Sequence, residues 1–308
     1  MKMYDAIVIG GGPAGITASL YLARSARSVL MFEQMTLGGQ ILMTDTLENY
    51  LGHPKGIKGY ELADLFLAHL DGLAVERVSG AVESVSGAAG NFVARSDGND
   101  YAGKTMLVCT GARHRKLGLE NETKLAGRGV SYCALCDGNF FRGQTIAVVG
   151  GGNSALEEAL YLSKIAGKVY LIHRRDSFRG AKTYLERLEK ASDKVSILPD
   201  TVISSLHGET SLTGLTLKNV HSGKERHLSV DGLFVYVGFT PMTDYLPENL
   251  ARDSHGFIIT DTEMRTNIPG IFAAGDIRSK LCRQVITASG DGATAAQAAF
   301  VFLEQLHV

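Results

Sequence analysis

Residues 145–175 read TIAVVGGGNSALEEALYLSKIAGKVYLIHRR. A short apolar run, 146–149, ends in Gly150-Gly151-Gly152-Asn153-Ser154-Ala155, a helical pattern follows over 156–165, and a second apolar run covers 169–172. Strand, glycine turn, helix and strand form the setting in which a Gly-x-Gly-x-x-Gly/Ala sequence holds a dinucleotide. The glycines let a pyrophosphate come close to the backbone. The N-terminus of the helix offers it N–H donors and a favourable dipole. A plain tight turn would account for one or two of these glycines, but not for the whole spacing.

The pattern occurs twice. Residues 4–33 read YDAIVIGGGPAGITASLYLARSARSVLMFE, an apolar run 5–9, then Gly10-Gly11-Gly12-Pro13-Ala14-Gly15, a helical stretch, a second apolar run 29–32 and Glu33. Glu33 follows Gly10 by 23 positions, and His173 follows Gly150 by the same 23. One match could be coincidence; two in one register indicate two homologous nucleotide modules.

The remaining punctuation suggests how they are nested. Residues 106–112 (Met-Leu-Val-Cys-Thr-Gly-Ala) read as a buried strand with a glycine exit, and 270–276 (Gly-Ile-Phe-Ala-Ala-Gly-Asp) as a strand ending in Gly-Asp. Arg283-Gln284 comes next, then a small-residue helix over roughly 292–306. Short strands with turns are expected over 87–103 and 201–238. The predicted fold is α/β, with two Rossmann-like, doubly wound, three-layer domains, the second inserted into the first. Residues 1–112 plus 242–308 make the first domain and 113–241 the second.

Composition agrees with this picture and excludes others. The 308 residues allow about two domains, and 45% hydrophobic content with 36 glycines and six prolines suits a packed α/β protein. A net charge of -1 leaves no global basic field for nucleic acid or anionic lipid. No apolar run approaches the ~18 residues that would span a bilayer. A nucleotide motif that begins at Tyr4 leaves no room for a cleavable leader, so the expected location is the cytoplasm.

The two modules differ where the nucleotide is selected. Glu33 can accept both ribose hydroxyls of an adenosine and would repel a 2′-phosphate, so the first site suits FAD or NAD. The second module has His173-Arg174-Arg175 there, with Arg179 close behind. Guanidiniums bind a phosphomonoester through paired N–H donors, which points to NADPH. A solvated basic turn is the plainer reading of that cluster. The fingerprint favours phosphate, because it fixes where the ribose lies.

Cys133-Ala134-Leu135-Cys136-Asp137-Gly138 precedes the second fingerprint. Two intervening residues let the sulfurs meet if the segment turns into a helix. Structural zinc would need two further ligands at short spacing, and Cys109 and Cys282 are isolated. A redox dithiol fits best, since Cys-x-x-Cys favours a lowered thiol pKa and reversible exchange. Asp137 is a candidate proton shuttle for it. Cys109 reads as a small buried hydrophobe, and Cys282, near Lys280 and Arg283, as at most a mildly reactive thiol. His53, His69, His114, His207, His221, His227 and His255 show no ligand spacing and read as surface or loop residues.

These motifs resemble the low-molecular-weight bacterial thioredoxin reductase family. Residues 127–182 match its pattern almost throughout. So do Gly38-Gly39-Gln40, Glu48-Asn49-Tyr50, Thr110-Gly111-Ala112, Ala273-Ala274-Gly275-Asp276 and Arg283-Gln284. The resemblance implies FAD in the first module, NADPH in the second and a homodimer. It implies a thioredoxin-disulfide reductase, in which NADPH reduces FAD, FAD reduces the Cys133–Cys136 disulfide and the dithiol reduces a thioredoxin-like protein. Cys136 would then face the flavin, Cys133 would attack the partner, and Asp137 would be the acid/base.

Gly10, Gly12, Pro13, Ala14, Gly15, Glu33, Gln34, Gly39, Gln40, Asn49, Thr110, Gly111, Ala112, Gly275, Asp276, Arg283 and Gln284 are the implied FAD contacts, with Asp276 on the ribityl chain. Gly150, Gly152, Asn153, Ser154, His173, Arg174, Arg175 and Arg179 would hold NADPH. Leu51, Cys109, Gly180 and Met242 depart from the commonest pattern, and none is a cofactor or redox residue.

Three other readings compete. A peroxiredoxin-linked reductase usually carries a thioredoxin-like extension ahead of the first fingerprint. A dinucleotide-binding sensor without turnover would not need Asp137 or the arginines. A ferredoxin–NADP reductase of related fold would lack the cysteine pair.

Overall fold

The computed structural model describes residues 1–44, 46–47, 49–191 and 193–306. The chain forms two compact units, residues 1–45, 50–113 and 240–308 in one and 46–49 with 114–239 in the other.

In the first unit the strands Val75–Ser79, Val29–Glu33, Met3–Ile9 and Asn99–Val108 lie side by side in parallel. Asn91–Ser96 and Ser84–Ala88 continue the sheet as an antiparallel meander, and Ile271–Ala273 adds in parallel to the end of Asn99–Val108. Alternate residues face opposite ways, as the period of two in a strand requires. Ala6, Val8, Val29, Met31 and Leu107 point into one apolar layer, with Ile16, Leu22, Ala295 and Ala299 of the helices Pro13–Arg24 and Val285–Gln305. Ile7, Ile9, Leu30, Phe32, Met106 and Val108 point into the other, with Phe92, Leu246 and Ile258.

The Val285–Gln305 helix starts seven residues before the expected 292. Its first turn is Val-Ile-Thr, weak in helix propensity, and the Gln284 N–H donates to Thr287 Oγ1 at 3.1 Å across that turn. Tertiary packing decides the rest. Gly292 lies on the backbone of Ala14, where any Cβ would collide with the Ala14 carbonyl.

The second unit repeats the plan. Val195–Leu198, Lys168–Ile172, Thr145–Val149, Gly232–Val235 and Val130–Ser131 form an all-parallel sheet, with the helix Asn153–Ser163 on one face. A three-stranded antiparallel sheet, Thr201–His207, Gly214–Asn219 and Glu225–Ser229, covers the other through Ile203, Leu206, Leu215 and Leu217. The duplication reaches the register itself: Ala6 pairs with Val29 and Thr145 with Lys168, so 29 − 6 = 168 − 145 = 23.

His114 and His207 are half-buried in strands, which corrects the expectation of surface or loop residues for these two, whereas His227 is exposed on its strand as expected. His114 packs against Phe239 at 4.3 Å and Tyr132 at 5.2 Å between ring centroids, and burial pushes its imidazole down to about 4.

The two fingerprints differ in how tightly they close. A Cβ on Gly15 would overlap the Gly10 carbonyl oxygen, a backbone atom that cannot move aside, whereas Ala155 occupies the matching place in the second unit. Gly15→Ala should therefore cost more than about 3 kcal/mol, beyond ordinary overpacking. Ala155→Gly should cost only about 1 kcal/mol, the helix-propensity difference. Urea denaturation of the two variants checks this.

Candidate functional site

In the first unit the glycine turn is built by close approach. Gly10 has φ +108° and sits on the Cys109 carbonyl, where a Cβ would come within 2.5 Å of the oxygen. Gly12 precedes the Pro13–Arg24 helix with no side-chain cap, so the first N–H groups of that helix are not taken by a capping side chain. Glu33 braces the turn: its Oε2 accepts from Gly11 N–H at 2.8 Å and its Oε1 from Met35 N–H at 2.9 Å. A carboxylate has about four acceptor sites, so capacity for a diol remains.

The segment Gly38-Gly39 lies over Gly12, anchored by Gly38 N–H to Gly11 O at 2.8 Å. Gln40 Nε2 donates to Ala112 O at 2.6 Å, and Thr110 Oγ1 lies 3.2 Å from both Met242 O and Tyr245 Oη. Gly275 rests on Ala14, which brings the Gly-Asp turn to the glycine turn across the whole length of the sequence. Arg283 Nε donates to Asp276 O at 3.4 Å, and Gln284 is the N-cap residue of the long helix. Pro13 is the first residue of the Pro13–Arg24 helix, while Gln34 is exposed beside Glu33.

Asp276 is the telling residue. Its Oδ1 is buried and accepts no hydrogen bond. A buried carboxylate oxygen without a donor is costly, and a polyhydroxyl chain would supply one. Burial pushes its carboxyl up to about 6, against the pull of Lys280 and Arg283. These residues fit an FAD.

In the second unit Gly150 presses on the Tyr236 carbonyl as Gly10 does on Cys109. Gly152 has open space where its Cβ would be, and the Asn153–Ser163 helix that follows has no side-chain cap. The 177–182 loop is tied to this turn by Arg179 N–H to Gly151 O at 2.8 Å and by Ala181 N–H to Asn153 Oδ1 at 2.8 Å. Gly180 packs on Gly152 and Leu156, where a Cβ would intrude. Arg174, Arg175, Arg179 and Ser154 are exposed.

His173 is buried beneath Gly151, its Nε2 3.1 Å from Ser177 O and its ring 4.8 Å from Phe178. Burial holds its imidazole below the usual range, and the charges of Arg175, Arg174 and Arg179 add to this. It therefore shapes the arginine loop from below. The uncapped helix start, the open space at Gly152 and the three exposed arginines fit an NADPH.

Cys133 and Cys136 form a disulfide, Cα to Cα 5.3 Å, at the start of the short helix Ala134–Asp137. Cys133 Sγ accepts from Cys136 N–H at 3.2 Å. Asp137 Oδ2 accepts from Ser131 Oγ at 2.6 Å, and the same hydroxyl oxygen accepts from Cys133 N–H at 3.1 Å. Ser131 thus fixes Asp137 and Cys133 to one another. Tyr236, whose carbonyl backs Gly150, receives Ala134 N–H on its hydroxyl at 2.6 Å. It links the glycine turn to the dithiol helix. Burial raises its phenol well above the ordinary value, so it stays neutral.

Glu158 is half-buried on the Asn153–Ser163 helix, and its carboxyl is pushed up to about 7 by burial and then by Glu157. Glu122, also buried, accepts from Tyr132 Oη at 2.8 Å and from Leu117 and Gly118 N–H at 2.9 Å. No motif marks Ser131, Tyr236, Glu158 or Glu122.

Asn49 is exposed and groups by contact with the second unit, and Glu48 of the Glu-Asn-Tyr motif lies outside the described residues. Cys109 is buried, which raises its thiol far above the usual range, whereas Cys282 is exposed.

The family model of the pyridine nucleotide-disulphide oxidoreductases matches residues 4–292, nearly the whole chain. The chain belongs to this family. It is 42% identical over 306 residues to the thioredoxin reductase of Listeria monocytogenes serovar 1/2a, covering 99% of this chain and 95% of that one. It is 40% identical over 307 residues to the thioredoxin reductase of Bacillus subtilis (strain 168), covering 99% and 96%. Among solved structures it is similar to thioredoxin reductase from Streptococcus pyogenes MGAS5005, with a TM-score of 0.92 at 44% identity, covering 98% of this chain and 99% of that one.

The raised Asp276 carboxyl carries a pH signature. An unfolded chain releases this proton near 3.8, whereas the folded cofactor-free protein keeps it up to about 6. Between those values the folded state binds the extra proton, so stability from this group falls as pH rises and the penalty is complete above 6. Asp276→Asn should raise the melting temperature of FAD-free protein at pH 7.5 and change it little below pH 4, while weakening FAD binding. Thermal scans at the two pH values check this.

Proposed function

We propose that this chain is an NADPH- and FAD-dependent thioredoxin-disulfide reductase. Residues 1–112 with 242–308 hold FAD, and 113–241 hold NADPH and carry the dithiol. The observation that carries this reading is the Cys133–Cys136 disulfide built into the same unit as the second glycine turn. A structural bond would not need a carboxylate held beside it, and Asp137 is held there by Ser131.

Bound in their sites, NADPH and FAD supply the electron pair that opens the disulfide. The chain's own residues do the rest. Reduced Cys133 is the attacking thiolate, favoured by the N–H of Cys136 that already points at its sulfur. It bonds to one sulfur of the thioredoxin disulfide and the partner's other sulfur leaves as a thiolate. Cys136 then attacks Cys133 Sγ, which closes the 133–136 bond and releases the partner's second thiolate. Asp137, oriented by Ser131, moves the protons. Two electrons and two protons pass to the partner per cycle.

In the second unit Glu33's counterpart is His173, and Arg174, Arg175 and Arg179 clamp the 2′-phosphate of NADPH. Gly150, Gly152, Asn153 and Ser154 offer the pyrophosphate its backbone and helix-start donors. In the first, Gly10, Gly12, Pro13, Ala14 and Gly15 do the same. Glu33 and Gln34 take the ribose end. Gly39, Gln40, Asn49, Thr110, Gly111 and Ala112 line the flavin, and Gly275, Asp276, Arg283 and Gln284 hold its ribityl and pyrimidine edge. Among the described residues no helix is long and apolar enough to cross a membrane. The reading includes a cytoplasmic homodimer, where thiols are kept reduced.

Anaerobic titration with NADPH, with and without thioredoxin, tests the whole path: stoichiometric bleaching of the flavin, reversed by oxidised thioredoxin, is expected. Cys136→Ser should trap a covalent complex with oxidised thioredoxin, visible on non-reducing gels, whereas Cys133→Ser should trap none. Wild-type turnover in either variant would sink the electron path.

Nucleotide choice gives a separate prediction. Neutralising Arg174, Arg175 and Arg179 together should raise KM for NADPH about 100-fold or more, at roughly one charge-assisted contact each, and leave KM for NADH nearly unchanged. Steady-state kinetics with both nucleotides check this, and equal use of the two by the wild type would count against the arginine clamp.

A further inference from the structure

The turn that carries Asp276 is held by a carboxylate that no motif marks. Asp291 lies on the Val285–Gln305 helix, and three donors converge on its Oδ2: Gly275 N–H at 3.1 Å, Lys280 Nζ at 2.8 Å and Arg278 Nη1 at 2.9 Å. The side chains of Asp291, Arg278 and Lys280 are 12%, 11% and 10% exposed, so these are sheltered pairs. Arg278 Nε also donates to Thr260 Oγ1 at 2.8 Å, and Lys280 Nζ to Thr287 Oγ1 at 3.3 Å. Arg283 lies over the Phe257 ring at 4.1 Å and donates to the Arg278 carbonyl at 3.1 Å. Two carboxylates and three cations are thus gathered around a turn of a few residues.

Asp276 takes no part in this exchange at its Oδ1, which has no partner although Lys280 and Arg283 are close enough to pull on its charge. A bare carboxylate beside cations pairs with them unless something else holds them. Asp291 is what holds Arg278 and Lys280. We propose that Asp291 is a positioning residue for the flavin site: it captures two of the three cations and the Gly275 N–H, which leaves the Asp276 carboxylate turned toward the ligand. Without that capture Lys280 swings onto Asp276, the acceptor is consumed within the protein and the ligand loses its anchor. The inference rests on the reading of the first unit as the FAD site.

The experiment uses the full chain, stripped of flavin and titrated with FAD by fluorescence. Wild type, Asp291→Asn, Asp276→Asn and the double variant are compared, with a melting temperature for each FAD-free protein. Asp291→Asn is expected to raise the Kd for FAD about tenfold or more, the worth of a hydrogen bond to a charged group. In the Asp276→Asn background the same change should cost less than about threefold, because the residue acts through Asp276. The FAD-free melting temperature should fall, because Arg278 and Lys280 lose a sheltered partner, so the titrations are run at a temperature where every variant is fully folded.

An unchanged Kd in Asp291→Asn overturns the proposal. So does an equal loss in both backgrounds, or partial unfolding of the FAD-free variant at the titration temperature that accounts for the weaker binding. If wild type takes up no FAD, or Asp276→Asn binds it as tightly as wild type, the site reading itself fails, and Asp291 falls with it.

Discussion

The structure depends on one close approach, made twice. Where a parallel strand ends and a helix begins, the chain must turn within the width of a backbone while lying against the carbonyl that follows the neighbouring strand. Gly10 meets Cys109 in this way and Gly150 meets Tyr236. A side chain at either point would push the helix start away from the strand end. The uncapped N–H groups would then no longer converge on one spot. Those donors are what an anion needs, so nucleotide binding follows from a steric condition on two glycines.

Once this geometry is duplicated, the difference between the copies lies in the residue beneath the turn. Glu33 reaches up to the Gly11 N–H and keeps a carboxylate beneath the turn. His173 takes the matching place under Gly151, but there it is neutral and faces inward to Ser177. A neutral ring at that point carries no charge to repel an anion, and its contacts to Ser177 and Phe178 support the loop on which the arginines stand. The arginine loop is fastened to the turn by backbone bonds at Gly151 and by Asn153. The exposed guanidiniums therefore stand on a loop with a fixed base.

Much of this was legible in the sequence because it is local. A strand, a glycine turn and a helix follow each other within thirty residues or so, and the 23-residue offset shared by Glu33 and His173 reappears in the strand register. What stayed hidden is held by contacts between distant segments. Tyr236 reaches Ala134 across 102 positions, and Asp291 reaches Gly275 only because a helix returns to the glycine turn. A lone histidine shows no pattern, so the sequence leaves His114 among the surface or loop residues, yet Phe239 and Tyr132 pack against it. The early start of the Val285–Gln305 helix is hidden for a related reason. Its Val-Ile-Thr opening has poor propensity, and packing on Ala14 through Gly292 outweighs it.

The Asp276 turn also shows why a fold would tolerate an arrangement that does not serve its own stability. A buried acceptor left without a donor costs about 1–3 kcal/mol, and an isolated cation beside it would remove that cost by pairing. The protein instead places a second carboxylate, Asp291, where it engages Arg278 and Lys280 first. Each cation is then compensated, as sheltered charges must be, while one oxygen of Asp276 is kept in reserve. On the proposed reading the missing partner comes from outside the chain, which is where local consistency is expected to give way. The same reasoning separates Asp276 from Glu122, a carboxylate at least as deeply buried. Glu122 is met by Tyr132 and three backbone N–H groups, so both of its oxygens are engaged within the chain. Burial is common to the two carboxylates; the oxygen that nothing in the chain engages is what sets Asp276 apart.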